Sequence, residues 1–531
     1  MKNRYFIAIC LTIFFVVGAF MGYYMALKNT SYSLTIPRQN KIDKIIGAIK
    51  TQYVDEVNTD SIIESIIPDL LKGLDPHSMY ISAEDMKAVN EDMRGNFGGI
   101  GVQFNMHNDT VMVLEVIEGG PSEKAKIQWG DRIVSVNDSK IAGVGMSSDT
   151  IMTLLRGEMG TKVKLGIKSR NKSNIKEVEI TRGSIPISSI DASYMVNDTI
   201  GFIKVNRFSE ITNLEFDMHV KQLMHQGMKS LIVDLRGNPG GSLGAVINIV
   251  DQFLKKDETI LFTEGVHQKR ETAKATKHYD FKNLSVNVMI SSNSASASEI
   301  FAGAIQDNDL GYIIGQRSFG KGLVQSQLML PDGSALRITI ARYYIPSGRC
   351  IQKPYDHGKG EYSLDILHRY EHGELTNADS ISVDSTQLFY TKKGRKVFGG
   401  GGIMPDFFVP IDTSGSSALM DSVQQNAKLY KFALNYVDQN LEDIKNNCNE
   451  NNIIGYLEKR KVFDKFLKNI ESNDYKISKA DMKKSGDIIK NYTYAYIARE
   501  SFGDEAFYKV TSLQDETFKK TLKIAIEGDR P

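Results

Sequence analysis

The chain is poor in the side chains that most enzymes use for acid–base and metal chemistry. Its 531 residues include 9 histidines, 3 cysteines and 1 tryptophan. Three cysteines, Cys10, Cys350 and Cys448, cannot build a disulfide framework or a four-cysteine zinc site. No H-E-x-x-H occurs, so the helical zinc-protease motif is missing. Charge of one sign is lacking as well: 65 Lys+Arg against 64 Asp+Glu leave a formal net charge of +1. Broad nucleic-acid binding needs a surplus of cations to displace counterions, so it is not expected. The remaining composition, 41% hydrophobic and 24% charged, excludes wholesale disorder. The length suits about three or four domains. No metal or cofactor is expected, and catalysis, if present, should rely on neither histidine nor thiol.

One long uncharged run opens the chain. Lys2 and Arg4 precede 23 residues from Tyr5 to Leu27. As a helix this run spans about 34 Å, enough for a hydrocarbon core of ~30 Å. Tyr23 and Tyr24 fall where interfacial aromatics sit. Residues 1–27 therefore read as a membrane anchor, with a cleaved signal as the competitor and Ala19 and Ala26 as weak cleavage-site candidates. Ile9 is too bulky for the usual residue before a lipidated cysteine, which argues against lipidation at Cys10. The basic end stays inside, so the bulk lies outside the cytoplasm. Either reading exports the rest of the chain, held at the membrane by an uncleaved anchor or released if the segment is cleaved.

Residues 28–96 read as a helical lead-in, with Ile42, Ile45, Ile46 and Ile49, then Ile62, Ile63, Ile66 and Ile67, at helical spacing. Residues 97–183 turn to short strands and glycines. Residues 184–412 alternate strands and helices, the rhythm of an α/β core. Residues 413–531 show apolar positions such as Leu457, Phe463, Phe466 and Leu467 at helical spacing, with no recognisable chemistry.

Three motifs compete in the α/β core. Gly240-Gly241-Ser242-Leu243-Gly244 is a literal G-x-S-x-G. Arg236 to Gly240 separate it from the strand ending near Leu235, too far for a nucleophile elbow. Its closely spaced N–H groups suit developing negative charge instead. Gly315 to Gly322 approaches a phosphate-binding loop, but Gly322 stands where Ser or Thr should hold Mg²⁺. An alternating strand pattern follows in place of a helix. Asn293 to Ala304 follows a strand and opens a helix. Ser296-x-x-Glu299 is a capping box, and a serine at a helix start is also well placed to have its oxyanion stabilised. Serine needs a base, and no histidine offers itself. A lysine whose ammonium is disfavoured by burial can serve, and Lys321 in its glycine-rich setting is the candidate.

Gly120-Pro121, Gly130-Asp131-Arg132-Ile133, Leu155-Arg156-Gly157 and Gly160-Thr161 resemble a PDZ domain. Such domains add an extended peptide to a sheet edge, and Gly98-Gly99-Ile100-Gly101 is positioned to take the terminal carboxylate. With Asp75-Pro76-His77-Ser78, Arg236-Gly237-Asn238-Pro239-Gly240-Gly241, Phe319-Gly320-Lys321-Gly322-x-Val324-Gln325 and Gly402-Ile403-x-Pro405-Asp406, the chain resembles the C-terminal processing (tail-specific) proteases over about residues 40–412. The resemblance implies a mixed α/β serine-protease core of crotonase-like type. It also implies Ser296 as nucleophile, Lys321 as general base and Gln325 as the residue orienting the lysine. The oxyanion hole would be the Ala297 N–H with that of Gly240 or Gly241. The implied activity is an endopeptidase that recognises exposed C-terminal tails of proteins or peptides through the PDZ and cleaves through an acyl-enzyme. The alternative is a non-catalytic PDZ adaptor. The membrane is a partner only through residues 5–27, and homo-oligomerisation is left open. The 413–531 extension is more than such a core needs.

Overall fold

The computed structural model describes Gly18 and residues 41–531, apart from 107–108, 171–173, 277–279, 472–475 and 529–530. The expected membrane segment, Gly18 aside, lies outside the described residues. Among the described residues no helix is long and apolar enough to cross a membrane. The chain divides into two compact units, Met1–Gly73 and Leu74–Pro531.

In the first unit the isoleucine spacing becomes the helices Lys41–Gln52 and Thr59–Leu71. Asn58 caps the second: the Asp60 and Ser61 N–H groups donate to its Oδ1 at 3.0 and 3.2 Å. Two of the donors orphaned at a helix start are thereby satisfied.

The second unit opens with strands as well as a helix. Met79–Ile81 pairs antiparallel with Ala335 to Arg337, and Asn96–Gly99 with Gly183–Pro186. Strands of three or four residues are too short to display a period, which is why only helix was expected here. Between them Ala83–Arg94 is helical, capped by Ser82 and ended by Gly95 at φ 74°.

Residues 102–181 form an antiparallel sheet in the order Val102–Met106, Val111–Val116, Arg132–Val136, Lys162–Lys168, Ile175–Thr181. Val113, Ile133, Leu165 and Ile151 of the Ser148–Leu155 helix close its core. Val102–Met106 is an edge strand, its outer N–H and C=O groups unpaired within the sheet.

The α/β core is a six-stranded sheet: Ile190–Met195, Ile200–Val205, Ser230–Asp234, Ser285–Ile290, Ile313–Gly315, Phe407–Phe408. The first pair is antiparallel and the rest are parallel. Ile200–Val205 and Ser230–Asp234 are buried at every position, as parallel strands covered on both faces must be. Ile203, Val233 and Val288 meet the helices Thr212–His225, Leu243–Asp251 and Ala297–Asp307. The alternate residues Phe202, Ile232 and Met289 face the other way and meet Phe518. That second layer comes from the C-terminal extension, through Asp504–Thr511 and Glu516–Glu527. A second, antiparallel sheet pairs Ala335–Tyr344 with Leu323–Met329, Met79–Ile81 and Thr259–Glu264.

Phe518 is 6% exposed in that lower layer. Truncation to alanine removes a buried aromatic ring, so Phe518→Ala should cost about 3 kcal/mol. Chemical denaturation of the full chain measures this; an unmoved midpoint would mean the helix does not complete the core.

Candidate active site

Three loops leave the C-terminal ends of three neighbouring parallel strands, where open α/β sheets collect their functional groups. Ser230–Asp234 runs into the Arg236–Gly241 loop, Ser285–Ile290 into the turn before Ser296, and Ile313–Gly315 into the Lys321 loop. Adjacent strands therefore bring together residues far apart in the chain. Ser296, Ala297, Gly240, Gly241, Lys321 and Gln325 all line one cleft of about 570 Å³.

Ser296 starts the Ala297–Asp307 helix, every residue of which is buried. Its backbone sits at φ 56°, ψ −115°, outside the helical region and costly for a residue with a Cβ. The expected capping box closes on Glu299: the Ser296 N–H donates to Glu299 Oε2 at 2.8 Å. Ser242, the other serine of interest, is an ordinary helix cap: its Oγ accepts from Ala245 N–H at 3.2 Å.

The glycine loop packs directly on this turn. A Cβ on Gly240 would lie 2.7 Å from the Ser296 Cβ and 2.8 Å from the Ala297 nitrogen. One on Gly241 would lie 2.0 Å from the Phe208 carbonyl oxygen. Only glycine fits either position. Buried Asn238 holds the loop. It accepts from Gly240 N–H at 2.8 Å, donates to the Val205 carbonyl at 3.1 Å, and its own carbonyl accepts from the Ser298 hydroxyl at 3.0 Å. The Gly240 N–H is thus engaged. The N–H groups of Gly241 and Ala297 have no hydrogen-bond partner among the described residues.

Glu299 does more than cap a helix. Its Oε1 accepts from the Ser318 hydroxyl at 2.5 Å and Gly320 N–H at 2.6 Å, and its Oε2 accepts from Lys321 N–H at 2.8 Å as well as from Ser296. One carboxylate thereby ties the serine turn to the lysine loop. Burial pushes Glu299 up to about 7, against the hydrogen bonds that favour its charged form. Tyr343 makes a second tie, its hydroxyl donating to the carbonyls of Ser296 and Lys321. Sequence reading gave Glu299 only its capping role and missed Tyr343 altogether. Tyr343 comes from the long Ala335–Tyr344 strand, and no local spacing marks it.

The Lys321 side chain is half-buried. Burial lowers its ammonium below the usual range and the Arg337 charge lowers it further, opposed by Glu299 and Asp75. No hydrogen bond joins Lys321 to Ser296 Oγ or to Gln325 among the described residues; Gln325 instead donates to Thr339 Oγ1 at 3.4 Å. Such bonds commonly tighten only when substrate is bound. The Thr339 N–H in turn donates to Ser78 Oγ at 3.1 Å, and Asp75 Oδ2 accepts from Ser78 at 2.5 Å. The Asp75-Pro76-His77-Ser78 segment therefore buttresses the strand beside the cleft. Burial also lowers His77 to about 4, so its imidazole is neutral near pH 7.

In the smaller sheet, Gly98 and Gly99 end the Asn96–Gly99 strand and Gly101 turns at φ 77° into the edge strand. The Ile100 and Gly101 carbonyls accept from Ser122 and Ile117 N–H at 2.9 and 3.0 Å, from within the domain itself. Among the described residues no group of histidine, cysteine, aspartate and glutamate side chains is arranged to hold a metal.

The chain is similar to known families over three separate segments. Residues 199–357 match peptidase family S41, residues 98–181 a PDZ domain, and residues 419–503 a family of unknown function. The carboxy-terminal-processing protease of Bartonella bacilliformis is 34% identical over 352 residues, 64% of this chain and 80% of that protein. A probable CtpA-like serine protease of Staphylococcus haemolyticus is 33% identical over 332 residues; the match covers 62% of this chain and 65% of that relative's length. Among solved structures, a photosystem II D1 C-terminal processing protease matches with a TM-score of 0.32 and 25% identity, covering 58% of this chain and 89% of that one.

Glutamine at position 299 has one acceptor oxygen for donors that now use two. Glu299→Gln should therefore strand buried N–H groups, costing about 2 kcal/mol or more, and should lower turnover along with the melting temperature. Thermal melting and cleavage assays on the same preparation test this; an unchanged melting temperature would deny the carboxylate its linking role.

Proposed function

Given that the chain belongs to peptidase family S41, we propose that it is a cell-envelope serine endopeptidase that cleaves proteins presenting an exposed C-terminal tail. The observation that carries this reading is the shared cleft. Ser296 on its positive-φ turn and half-buried Lys321 line it together, and their backbones are bound to one carboxylate.

In this reading the neutral Lys321 amine takes the proton from Ser296 Oγ as the oxygen attacks the scissile carbonyl. The oxyanion forms against the N–H groups of Ala297 and Gly241. Gly241 is preferred over Gly240 because the Gly240 N–H already donates to Asn238. As the tetrahedral intermediate collapses, the Lys321 ammonium returns the proton to the leaving amine, leaving Ser296 acylated. Water then attacks the ester, Lys321 accepts its proton, and the acid product departs as Ser296 regains its hydrogen. Gln325, on the Leu323–Met329 strand that follows the lysine, would orient the amine once substrate displaces its contact with Thr339.

The PDZ would hold the tail as an added strand along Val102–Met106, with the terminal carboxylate at Gly98 to Gly101. The domain limits that go with this function are 1–27, 28–96, 97–183, 184–412 and 413–531, with the first segment anchoring the protein so that the rest faces the periplasm. The adaptor alternative lacks a reason for a buried carboxylate that joins a serine turn to a lysine loop.

Because the Lys321 ammonium is held below 10.5, the active amine should accumulate as pH rises from neutral, and the initial rate should climb and then level before that value. A rate profile on one tailed substrate checks this, with Ser296→Ala and Lys321→Ala expected to abolish cleavage and a chelator to leave it intact. A rate falling steadily from neutral to mildly alkaline pH would exclude a lysine base.

A further inference from the structure

The loop that carries Gly240 and Gly241 begins at Arg236, and Arg236 is held from two sides. From the protease core, Asp234 Oδ1 accepts from its Nε at 3.0 Å and Oδ2 from its Nη2 at 2.8 Å. From the C-terminal extension, Asp515 Oδ1 accepts from Nη1 at 3.0 Å and Oδ2 from Nη2 at 2.6 Å. A fourth charge, Lys204, lies 3.4 Å from Asp234 and donates to the Arg236 carbonyl. Side-chain exposure is 10% for Lys204, 2% for Asp234, 26% for Arg236 and 23% for Asp515. The core alone thus supplies two cations and one anion, with Asp234 and Lys204 enclosed and Arg236 partly open to water. The extension supplies the anion that makes the cluster neutral.

A bidentate carboxylate also fixes the plane of the guanidinium. Arg236 is three residues from Pro239 and five from Gly241, with Asn238 between, so the guanidinium is the outer anchor of the loop and Asn238 the inner one. Asp515 is itself fixed, because its Oδ1 accepts from Phe518 N–H at 3.0 Å and so starts the Glu516–Glu527 helix. That helix is seated on the sheet through Phe518. The lower layer of the fold is therefore connected rigidly to the loop on the opposite, functional edge.

We propose that Asp515 is a positioning residue for the peptidase reaction, holding Arg236 so that the Gly240–Gly241 backbone stays aimed at the developing oxyanion. The role makes the C-terminal extension part of the active-site machinery. It rests on the serine-peptidase reading above. It adds a residue from outside the segments matched to the peptidase and PDZ families, and outside 419–503 too.

The test uses the full chain, a protein substrate with an apolar C-terminal tail, and a fluorophosphonate probe that labels an activated serine. Asp515→Asn keeps an oxygen to cap the helix while removing the charge. It should lower kcat on the order of tenfold, short of the roughly hundredfold that a misplacement of about 1 Å can cost, and slow probe labelling per folded molecule to match. KM and binding of the tail peptide should stay unchanged. Asp515→Glu keeps the charge but lengthens the arm, and should recover most of the loss. If Asp515→Asn does not fold, Asp515→Ser, which also keeps a helix-capping oxygen without the charge, decides in its place: a several-fold loss in kcat at unchanged KM supports the role, and wild-type kcat overturns it. Equal kcat and labelling in folded Asp515→Asn also overturn it, as does a loss that appears only in KM. A wild-type chain that cleaves nothing and takes no probe refutes the peptidase reading itself, a result distinct from any of these.

Discussion

A single buried carboxylate organises the functional edge of this molecule. Glu299 accepts from the Ser296, Gly320 and Lys321 N–H groups and from the Ser318 hydroxyl. Ser318 Oγ in turn accepts from Ile403 N–H at 2.6 Å, which brings in the Gly402-Ile403 segment from the far end of the domain. An ionised group without partners would be very costly at such a site. With four donors aimed at its two oxygens, the cost is offset only if the three segments keep their positions. The requirement to satisfy one charge thus becomes a geometric constraint on the serine turn, the lysine loop and the Gly402-Ile403 segment together. Tyr343 repeats the link through the carbonyls of the same two residues, so the backbones of Ser296 and Lys321 are bound to each other twice, by an acceptor and by a donor.

A second constraint acts from the neighbouring strand. The Arg236–Gly241 loop can approach Ser296 only because Gly240 and Gly241 lack side chains, and such a loop has little stiffness of its own. Its rigidity is imported: Asn238 clamps it from inside and Arg236 from outside. The two tethers reach different layers, Asn238 the helix beginning at Ser296 and Arg236 the extension beneath the sheet. Glycine gives the loop its closeness, and the flanking polar residues give it its shape.

Much of the functional edge was legible in the sequence because its signals are local. A strand, a short loop, a serine and a helix start lie within a dozen residues, and Gly322 in place of Ser or Thr, with a strand pattern after it, argued against phosphate binding; the structure has Leu323–Met329 there. What escaped was long-range. Ser296-x-x-Glu299 reads as a capping box whether or not Glu299 also reaches Gly320 and Lys321, and spacing cannot distinguish the two. Tyr343 and Thr339 sit on a strand whose alternation says only that one face is buried. The two short strands before residue 100 were hidden by their length. The 413–531 extension revealed helices but not their destination, since an amphipathic pattern specifies that a face is covered and not by what.

The extension also touches the PDZ, and the two contacts differ in kind. Against the core it presents Phe518 and Ile524, buried in apolar clusters. Against the PDZ it presents Asp438, which accepts from Arg132 Nη2 at 2.8 Å and lies 3.6 Å from Arg170 Nε, with Trp129 packed on the helices. Those charges are 19–24% exposed, so water screens them and each pair contributes about 1 kcal/mol or less. Burying an aromatic ring contributes about 2–3 kcal/mol, in full for Phe518 and only in part for Trp129, which stays partly exposed. The extension is therefore a layer of the protease core that the PDZ leans against. A force separating the domains would open the contact at Asp438 before it disturbed Phe518, and the Asp515 contact with Arg236 would survive on the core side of the break.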